Sequence, residues 1–458
     1  MSASLDRVPG PKGAPLVGST LEFQRAPLDF CLRQKARYGD LVRFRVALQD
    51  WYLLSDVEEI HRVLVTDAAR FWKPKLAKRL WRPFIGEGLL ASDGERWKRQ
   101  HKLVLPGFHR ARVESYATTM VDLARRATEG WRPGERRDFA NDMSDLTLAI
   151  VSKTLFDVDV HGDARRVGQA IAAIQDALVA HINNPIPVPA WWPSETNKKK
   201  VRALRDVREV VKKFIDDRRT SGKDRGDLLS TLVFAEDEGG ARMSDTELHD
   251  EAMTLFFAGH ETTSTALTWT WYLLARHPEV EERLYAEIQS AVGDRALTVG
   301  DLGRLPYLEM VVKESMRMHP SVWSYMREPI ADYRIGDVVL PKGSLVFICV
   351  YAVHRDARNF QDPDVFRPER FEKESEKKIP RGAYVPFAAG PRVCLGKTFA
   401  MMEARLVLGT LLQRARPRIP RGWEAELFPQ ISLRPKGGLP VEVELRGGAV
   451  TRAHVGAA

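Results

Sequence analysis

The spacing of apolar residues predicts that most of the chain is helical. From about Glu95, apolar side chains recur every three to four residues, the period of an α-helix with one buried face. In segment 201–219 the apolar positions near one face are Val201, Leu204, Val207, Val211 and Phe214. Segment 245–276 is apolar on most sides and lacks proline, which predicts one long helix through the middle of the protein.

Two other parts of the chain have the pattern of β-strands. Segments 41–48 and 51–55 are short alternating runs, and segment 331–354 contains apolar runs separated by glycine-containing turns. Segment 356–396 has the composition of loops, and a helix is predicted to begin near Lys397. The fold is therefore predicted to be mainly α with a minor β region.

Length and composition indicate one large folded unit. The chain has 458 residues, of which 44% are hydrophobic, enough for a large core. No low-complexity linker or fixed-period repeat divides it, so we expect residues 1–458 to form a single domain. The longest apolar run, 345–353, is too short to span a bilayer, and the first twenty residues contain no long apolar stretch. We therefore expect neither a secretory signal nor a transmembrane anchor.

The number of cysteines and the net charge limit the cellular compartment and the kinds of partner that we expect. Cys31, Cys349 and Cys394 are too few and too scattered for a disulfide framework, which favours a reducing, cytoplasmic compartment. The net charge of +9 is compatible with nucleic acid, an anionic membrane surface or an acidic protein partner. The sequence has no zinc-finger spacing or RNA-binding signature, so we expect no nucleic-acid partner.

One cysteine has unusual neighbours. Cys394 lies in the stretch FAAGPRVCLG, residues 387–396 (the cysteine loop), with Arg392 two residues before it and a predicted helix directly after it. Positive charge and a helix amino terminus both favour the thiolate form of a cysteine. The cysteine loop therefore fits a nucleophilic thiol or a metal ligand, and a single thiolate bound to haem iron is one form of the latter.

The cysteine loop matches in full the pattern F-x-x-G-x-R/H-x-C-x-G, and in this the chain resembles the cytochrome P450 family of haem-thiolate monooxygenases. The resemblance covers nearly the whole chain. It implies the cytochrome P450 fold, with haem b (iron protoporphyrin IX) between the long central helix and the helix that follows the cysteine loop. It also implies that Cys394 is the axial ligand of the iron and that Phe387 and Gly396 lie beside the cofactor.

A second motif agrees with this resemblance. Glu314 and Arg317 match the E-x-x-R of the family, and their spacing places both side chains on one helix face, where they can pair. Arg370 lies in P-E-R-F, at the position of the arginine that completes a buried network in the family. One carboxylate between two guanidiniums offsets the cost of burial with charge-assisted hydrogen bonds. The resemblance implies that this network braces the cysteine loop.

A third motif lies in the predicted central helix. The residues from Ala258 to Thr263 read A-G-H-E-T-T, which matches A/G-G-x-D/E-T-T/S of the family. Glycine weakens a helix, and threonine can bond to a carbonyl one turn earlier, so the motif predicts a local groove. The resemblance implies that dioxygen occupies this groove beside Ala258, and that Glu261 and Thr262 are the catalytic residues that manage protons.

Four further residues are implied to bind the cofactor. By position in the family pattern these are Trp97, His101, Arg327 and Arg392. The family usually has an arginine where this chain has His101. A histidine can donate a hydrogen bond to a haem propionate, but its charge depends on pH.

The resemblance implies a haem-thiolate monooxygenase of the EC 1.14 class that hydroxylates or epoxidises a hydrophobic small molecule with O2 and two electrons. We expect no fused reductase, and we therefore expect the electrons to come from a ferredoxin or flavodoxin with its NAD(P)H-dependent reductase. The alternatives are a peroxide-driven peroxygenase and a non-catalytic haem-binding protein such as a gas sensor. The Glu261–Thr262 pair favours O2 over peroxide.

The substrate pocket is assigned by family position to Phe84, Val322 and Trp323, with segment 181–193 as a further candidate for its lining. These regions are rich in large apolar residues, so a hydrophobic pocket is expected. Fatty acids, terpenoids and polyketides are all compatible with such a pocket, and a fatty-acid or terpenoid-like lipid is the favoured substrate.

Overall fold

The structure is a computed structural model that describes residues 8–157, residue 192 and residues 194–446, apart from the side chains of residues 196 and 200. Helices predominate. The described α-helices are α1 (Thr20–Arg25), α2 (Pro27–Tyr38), α3 (Val57–His61), α4 (Lys75–Ile85), α5 (Gly94–Val104), α6 (Arg110–Ser115), α7 (Ala117–Glu129), α8 (Phe139–Phe156), α9 (Glu195–Ser221), α10 (Leu228–Phe234), α11 (Asp245–Arg276), α12 (Pro278–Ala291), α13 (Pro306–Met318), α14 (Val350–Val353), α15 (Lys373–Glu376) and α16 (Lys397–Leu412).

The strands form small sheets at the margins of the helical body. They are β1 (Leu41–Val46), β2 (Gln49–Leu54), β3 (Phe71–Trp72), β4 (Arg136–Asp138), β5 (Ser324–Pro329), β6 (Tyr333–Ile335), β7 (Val338–Leu340), β8 (Leu345–Cys349), β9 (Ala415–Arg418), β10 (Leu427–Pro429), β11 (Leu433–Pro435) and β12 (Pro440–Leu445). The largest sheet has the order β1-β2-β8-β5-β3, with β2 and β8 parallel and the other neighbours antiparallel. Strands β10 and β11 pair as a separate antiparallel ribbon, here called the carboxyl-terminal hairpin.

The long central helix is α11, which begins and ends where the sequence predicts. Ser244 accepts the backbone N–H of Glu247 and the Glu247 side chain accepts the N–H of Ser244, a capping box that satisfies the first free amides. The helix packs against α8, α13 and α16. It is buried on most sides because its neighbours surround it, as its nearly continuous apolar composition predicts.

The prediction of a mainly helical fold with a minor β region is confirmed. Two details differ. The amino-terminal region also contains helices α1 and α2, which the strand-like patterns around them did not indicate. In α9, Val207 and Val211 are buried as predicted, but Val201 is 61% exposed.

The cysteines are unpaired, but two of them are not scattered in space. Cys31 on α2 and Cys349 at the end of β8 lie in the same core cluster and contact each other as thiols. Burial, together with this neighbour, raises the pKa of Cys31 well above its ordinary value. Within the described part of the chain, no helix is long and apolar enough to cross a bilayer.

Candidate functional site

The cysteine loop is a tight structure held by backbone contacts. Gly390 has φ +68°, and a Cβ built there would lie 2.2 Å from the carbonyl oxygen of Leu64. Only glycine therefore fits at this position. The Cys394 N–H donates to the carbonyl oxygen of Phe387 at 3.0 Å, and α16 begins at Lys397, three residues later. The loop thus presents the cysteine at the start of a helix, as the sequence predicts.

Cys394 is exposed as a residue, yet burial raises the pKa of its thiol. The exposure of Cys394 and the raised pKa of its thiol agree when the side chain faces an open space that the protein largely surrounds. The Gly396 N–H and Lys397 lower the pKa, but burial outweighs them. The expectation that Arg392 helps to form the thiolate is wrong, because its guanidinium points to Asp93. The loop alone does not ionise the thiol, whereas a bound metal ion would.

The central helix has one open face. Ala258 is exposed and Thr262, four residues later, is half-buried, while most residues around them are buried. Residues four apart lie on one side of a helix, so these two share this opening. The Thr262 hydroxyl donates to the carbonyl oxygen of Ala258 at 2.9 Å, which leaves its oxygen able to accept a hydrogen bond. The predicted groove at the A-G-H-E-T-T motif thus has a counterpart in the structure.

Glu261 is buried and held by the carboxyl-terminal hairpin. Its Oε1 accepts from the Ser432 hydroxyl at 2.5 Å and from Arg434 Nε at 2.8 Å. Sequence reasoning missed both partners, since no local pattern connects positions so far apart. His260 turns to the other side of the helix, where its Nε2 lies 3.0 Å from Ser144 Oγ. Burial lowers the pKa of His260 to about 4, so this histidine is neutral.

The structure brings the three members of the predicted ionic network together. Arg317 Nε and Nη2 donate to the two carboxylate oxygens of Glu314 at 2.7 and 2.9 Å, and both side chains are fully buried. Arg370 Nε donates to the same carboxylate at 3.1 Å. Arg317 Nη1 also donates to the carbonyl oxygen of His354 at 2.9 Å, and His354 Nε2 accepts the N–H of Val385 at 3.0 Å. Through His354 the network reaches the chain just before the cysteine loop.

Arg392 belongs to a cluster of cations around one carboxylate. Its Nη2 donates to Asp93 Oδ1 at 2.6 Å, and its guanidinium lies 4.2 Å from the ring centre of Trp97. The Trp97 ring is 5.0 Å from that of His101. Lys78 also pairs with Asp93, at 2.6 Å. The structure therefore places Trp97, His101 and Arg392 in one region, as the propionate assignment requires.

This cluster contains more positive than negative charge. Burial first, and then Arg392, lower the pKa of Arg327 to about 10, that of Lys73 to about 7 and that of His101 below its ordinary value. Among the described residues no carboxylate lies within ion-pair distance of Arg327. Cations crowded in this way favour an anionic ligand, which the two propionates of haem would supply. Sequence reasoning missed Lys73, whose neighbours have no distinctive pattern.

The predicted pocket residues are not equally available. Val322 is half-buried, whereas Phe84 and Trp323 are 3% and 8% exposed. Trp323 donates its indole N–H to the carbonyl oxygen of Gln430 at 2.8 Å and packs against Phe347 in the core beside the large sheet. Its ring is therefore part of the core and not an open pocket wall. Segment 181–193 lies outside the described residues except for Trp192, which is exposed.

Known proteins resemble this chain over nearly its full length. A sequence model of the family described as Cytochrome P450 matches residues 8–439. Cyclooctatin synthase from Streptomyces melanosporofaciens is 36% identical over 426 residues, 92% of each chain. Cyclooctat-9-en-7-ol 5-monooxygenase from the same organism is 33% identical over 412 residues, 89% of each chain. The crystal structure of the cytochrome P450DA heme domain matches with a TM-score of 0.88 and 27% identity, covering 96% of this chain and 98% of that one.

The helices present one cysteine, and a cluster of cations that favours an anionic ligand lies in the same structure. This arrangement is typical of haem-thiolate enzymes. Together with these matches, it shows that the chain belongs to the cytochrome P450 family. The protein is a monooxygenase, an oxidoreductase with the cytochrome P450 fold. Members of the family generally need redox partners.

Proposed function

We propose that the protein hydroxylates or epoxidises a terpenoid-like lipid with O2 and two electrons from a separate donor. The observation that carries this proposal is the arrangement of Glu261 and Thr262. Thr262 lies on the open face of the central helix, and Glu261 next to it is buried in a hydrogen-bonded cluster. An acid beside an open hydroxyl suits stepwise proton delivery during O2 reduction, which a peroxide-driven enzyme would not need.

The residues present fit haem b. Cys394 would hold the iron, with Phe387 and Gly396 beside the sulfur. The small side chain of Ala258, on the open face of the central helix, would leave room for the cofactor. Haem supplies the oxygen activation and the oxidation of a C–H or C=C bond when it is bound. Among the cysteines of the described residues, Cys394 is the exposed one, which agrees with a single protein ligand to the iron.

The propionates would be held by the basic cluster, which consists of the cationic groups near Asp93: Lys73, Lys78, His101, Arg327 and Arg392. Arg327 and Arg392 offer planar guanidinium groups, which suit carboxylates. Burial lowers the pKa of His101 and a propionate beside it would raise it again, but the imidazole can donate an N–H in either charge state. Lys73 would regain its charge beside a propionate, because a nearby anion favours the protonated form.

The proton path proposed for this chain runs from Glu261 to Thr262. The Thr262 hydroxyl donates to the Ala258 carbonyl, so its oxygen can accept a hydrogen bond from a water or a substrate hydroxyl in the cavity. Glu261 is fixed by Ser432 and by Arg434, whose side chain is 40% exposed, so the cluster connects the buried carboxylate with the surface.

Thr262→Ala tests the proton role. The variant should consume NADPH with much less product, because water then reaches the cavity without an ordering hydroxyl. Thr268→Ala is the matched control: its hydroxyl makes the same kind of bond, to Ser264 O at 2.7 Å, but it is buried farther along the helix. Equal coupling of NADPH consumption to product in the two variants would refute the role of Thr262.

The reduced carbon monoxide difference spectrum separates the main alternatives. A red-shifted Soret band shows thiolate ligation, and Cys394→Ser should abolish it. Product formation that depends on peroxide and not on an electron donor would identify a peroxygenase. A thiolate spectrum with no turnover of any lipid by either route would favour a non-catalytic haem-binding protein.

The electron donor is proposed to be an acidic ferredoxin or flavodoxin with its NAD(P)H-dependent reductase, acting in the cytoplasm. Arg381 and Lys397 near the cysteine loop are exposed, whereas Arg392 is half-buried on Asp93 and cannot serve as a docking charge. Charge reversal by Lys397→Glu should slow reduction and weaken its salt dependence. Lys342→Glu, an exposed lysine on the turn after β7, is the control. Equal reduction rates would contradict docking at the loop.

Two relatives support this substrate class: one is named a cyclooctatin synthase, and the name of the other gives a cyclic unsaturated alcohol, cyclooctat-9-en-7-ol, as its substrate. We therefore favour a terpenoid-like cyclic hydrocarbon or alcohol over a linear fatty acid. Spectral binding titrations should compare cyclic terpenes and terpene alcohols with fatty acids of equal carbon number. A spin shift with fatty acids alone would overturn this choice.

A further inference from the structure

The hydroxyl of Tyr325 meets the chain at the base of the cysteine loop. Tyr325 lies on β5, and its Oη accepts the N–H of Ala388 at 2.8 Å. The same hydroxyl lies within donating distance of two carbonyl oxygens, Val385 O at 2.9 Å and Pro386 O at 3.1 Å. A hydroxyl has one proton, so it donates to one of these carbonyls at a time while its oxygen accepts the amide. One side chain therefore contacts three backbone groups of the turn, in which the Ala388 N–H also lies 3.2 Å from the Val385 carbonyl oxygen.

The turn that this hydroxyl contacts is strained. Ala388 has φ +56°, in the left-handed region that a residue with a Cβ rarely adopts. Such a conformation persists where the surrounding contacts determine it. Phe387, the residue before it, accepts the N–H of Cys394 on its carbonyl oxygen. The backbone direction at Cys394 therefore depends on the turn that Tyr325 contacts.

A second contact holds the same turn from the other side. The N–H of Val385 donates to His354 Nε2, which is tied to the buried Arg317. Val385 is thus fixed at its amide by the ionic network and at its carbonyl by Tyr325. Among the hydrogen bonds of the described residues, the one that Ala388 donates to the Tyr325 hydroxyl is the side-chain contact of the strained residue.

The sequence of β5 explains why a tyrosine serves here. Tyr325 and Arg327 are two residues apart on one strand, so their side chains leave the same face of the sheet. The strand thus directs a hydroxyl to the cysteine loop and a guanidinium to the basic cluster. Burial, with a further contribution from nearby Cys394, raises the pKa of Tyr325, so the phenol stays protonated and able to donate.

We infer that Tyr325 is a positioning residue for the iron ligand: its hydroxyl locks turn 385–388 and, through Phe387, sets the orientation of Cys394. The inference deepens the proposed function, since it rests on Cys394 as the haem ligand. Nothing in the E-x-x-R, P-E-R-F or cysteine-loop patterns indicates this tyrosine.

The test compares Tyr325→Phe with Tyr384→Phe in the haem-loaded enzyme. Tyr384 is a matched control because its hydroxyl also binds one backbone carbonyl, Lys313 O at 2.9 Å, but not the cysteine loop. The first readout is hydrogen exchange at the Ala388 amide, and the second is the rate at which the reduced carbon monoxide complex loses its red-shifted Soret band. Tyr325→Phe should accelerate the exchange roughly fivefold, the factor expected for one lost hydrogen bond, and should shorten the life of the band.

Tyr384→Phe should leave both readouts near wild type, and equal behaviour of the two variants would overturn the inference. If Tyr325→Phe does not fold, the double variant Tyr325→Phe/Ala388→Gly decides, because glycine adopts a positive φ without strain. Recovery of a folded, haem-binding protein supports the inference, and no recovery refutes it. A wild-type enzyme without the red-shifted band would refute the haem-ligand role of Cys394, while the exchange comparison would still test the contact between Tyr325 and the turn.

Discussion

Glu261 on the central helix and Arg434 on the carboxyl-terminal hairpin form an ion pair although 173 residues separate them. The side chain of Glu261 is 5% exposed and that of Arg434 is 40% exposed, so the pair extends from the interior to the surface. The Ser432 hydroxyl donates to the same carboxylate oxygen of Glu261, Oε1. The acid proposed to deliver protons is therefore held in place by a segment far from it in sequence.

Arg434→Gln should disturb proton delivery without loss of haem. Glu261 would lose its hydrogen bonds from Arg434 while it keeps the one from Ser432, and its orientation relative to Thr262 should change. We expect product per NADPH to fall roughly two- to tenfold, the range for a misplaced acid–base group, and the solvent isotope effect to change. Both are measured by product analysis against NADPH consumption in H2O and D2O.

Arg276→Gln is the control for this prediction. Arg276 ends the same helix and pairs with the exposed Glu424 at 3.3 Å, a pair that contributes little to stability. Coupling that is unchanged in Arg434→Gln, or equally reduced in both variants, would contradict the proposed role of the ion pair.

Removal of Arg317 should destabilise the fold strongly. Arg317→Met leaves the Glu314 carboxylate fully buried with one fewer guanidinium, and we expect a loss on the order of 3–5 kcal/mol in the free energy of unfolding. Lys377→Met removes an exposed i,i+3 partner of Glu374 and should change the same quantity by less than about 0.5 kcal/mol. Urea unfolding followed by circular dichroism measures both. Similar midpoints in the two variants would show that the network is dispensable.

Gly390 and Gly422 separate steric conflict from backbone strain. Both have positive φ, +68° and +75°, but a Cβ at Gly390 meets Leu64 O at 2.2 Å, whereas none of the described atoms lies within 4 Å of one at Gly422. Gly422→Ala should cost only the left-handed penalty of about 1–2 kcal/mol. Gly390→Ala should cost on the order of 3–5 kcal/mol and weaken haem retention. If the two variants lose equal unfolding free energy, then Gly390 does not lie in close contact with Leu64, which would contradict this prediction.

Glu251 should make stability depend on pH. It is fully buried on the central helix, where its Oε2 accepts the N–H of Leu89 at 3.0 Å. Burial raises the pKa of Glu251 from 4.5 to about 7. Between these values the folded state binds more protons than the unfolded state, so this contribution is complete below pH 4.5 and is lost as the pH rises through 7.

Glu251→Gln removes that titration while it keeps an acceptor for Leu89. The difference in unfolding free energy, wild type minus variant, should fall by on the order of 1–3 kcal/mol between about pH 5 and pH 8. Denaturation curves at several pH values measure it. Parallel pH profiles for the two proteins would show that Glu251 does not titrate in this range.

Local chemistry in the sequence determined the elements and the residues of the motifs. The period of apolar positions gave the central helix, and the i,i+3 spacing gave the pairing of Glu314 with Arg317, because helix geometry alone brings such residues together. The glycines and the cysteine of the cysteine loop were also evident, since each answers a local backbone or ligand requirement.

The tertiary structure alone decided the partners of those residues. In the structure, Arg392 pairs with Asp93 and not with Cys394. Glu261 accepts hydrogen bonds from Ser432 and Arg434, and Lys73 belongs to the basic cluster. The tertiary structure also raised the pKa of the Cys394 thiol, opposite to the effect that its neighbours in sequence suggest. Ion pairs and burial depend on distances between segments that lie far apart along the chain, and no local pattern of residue types encodes those distances.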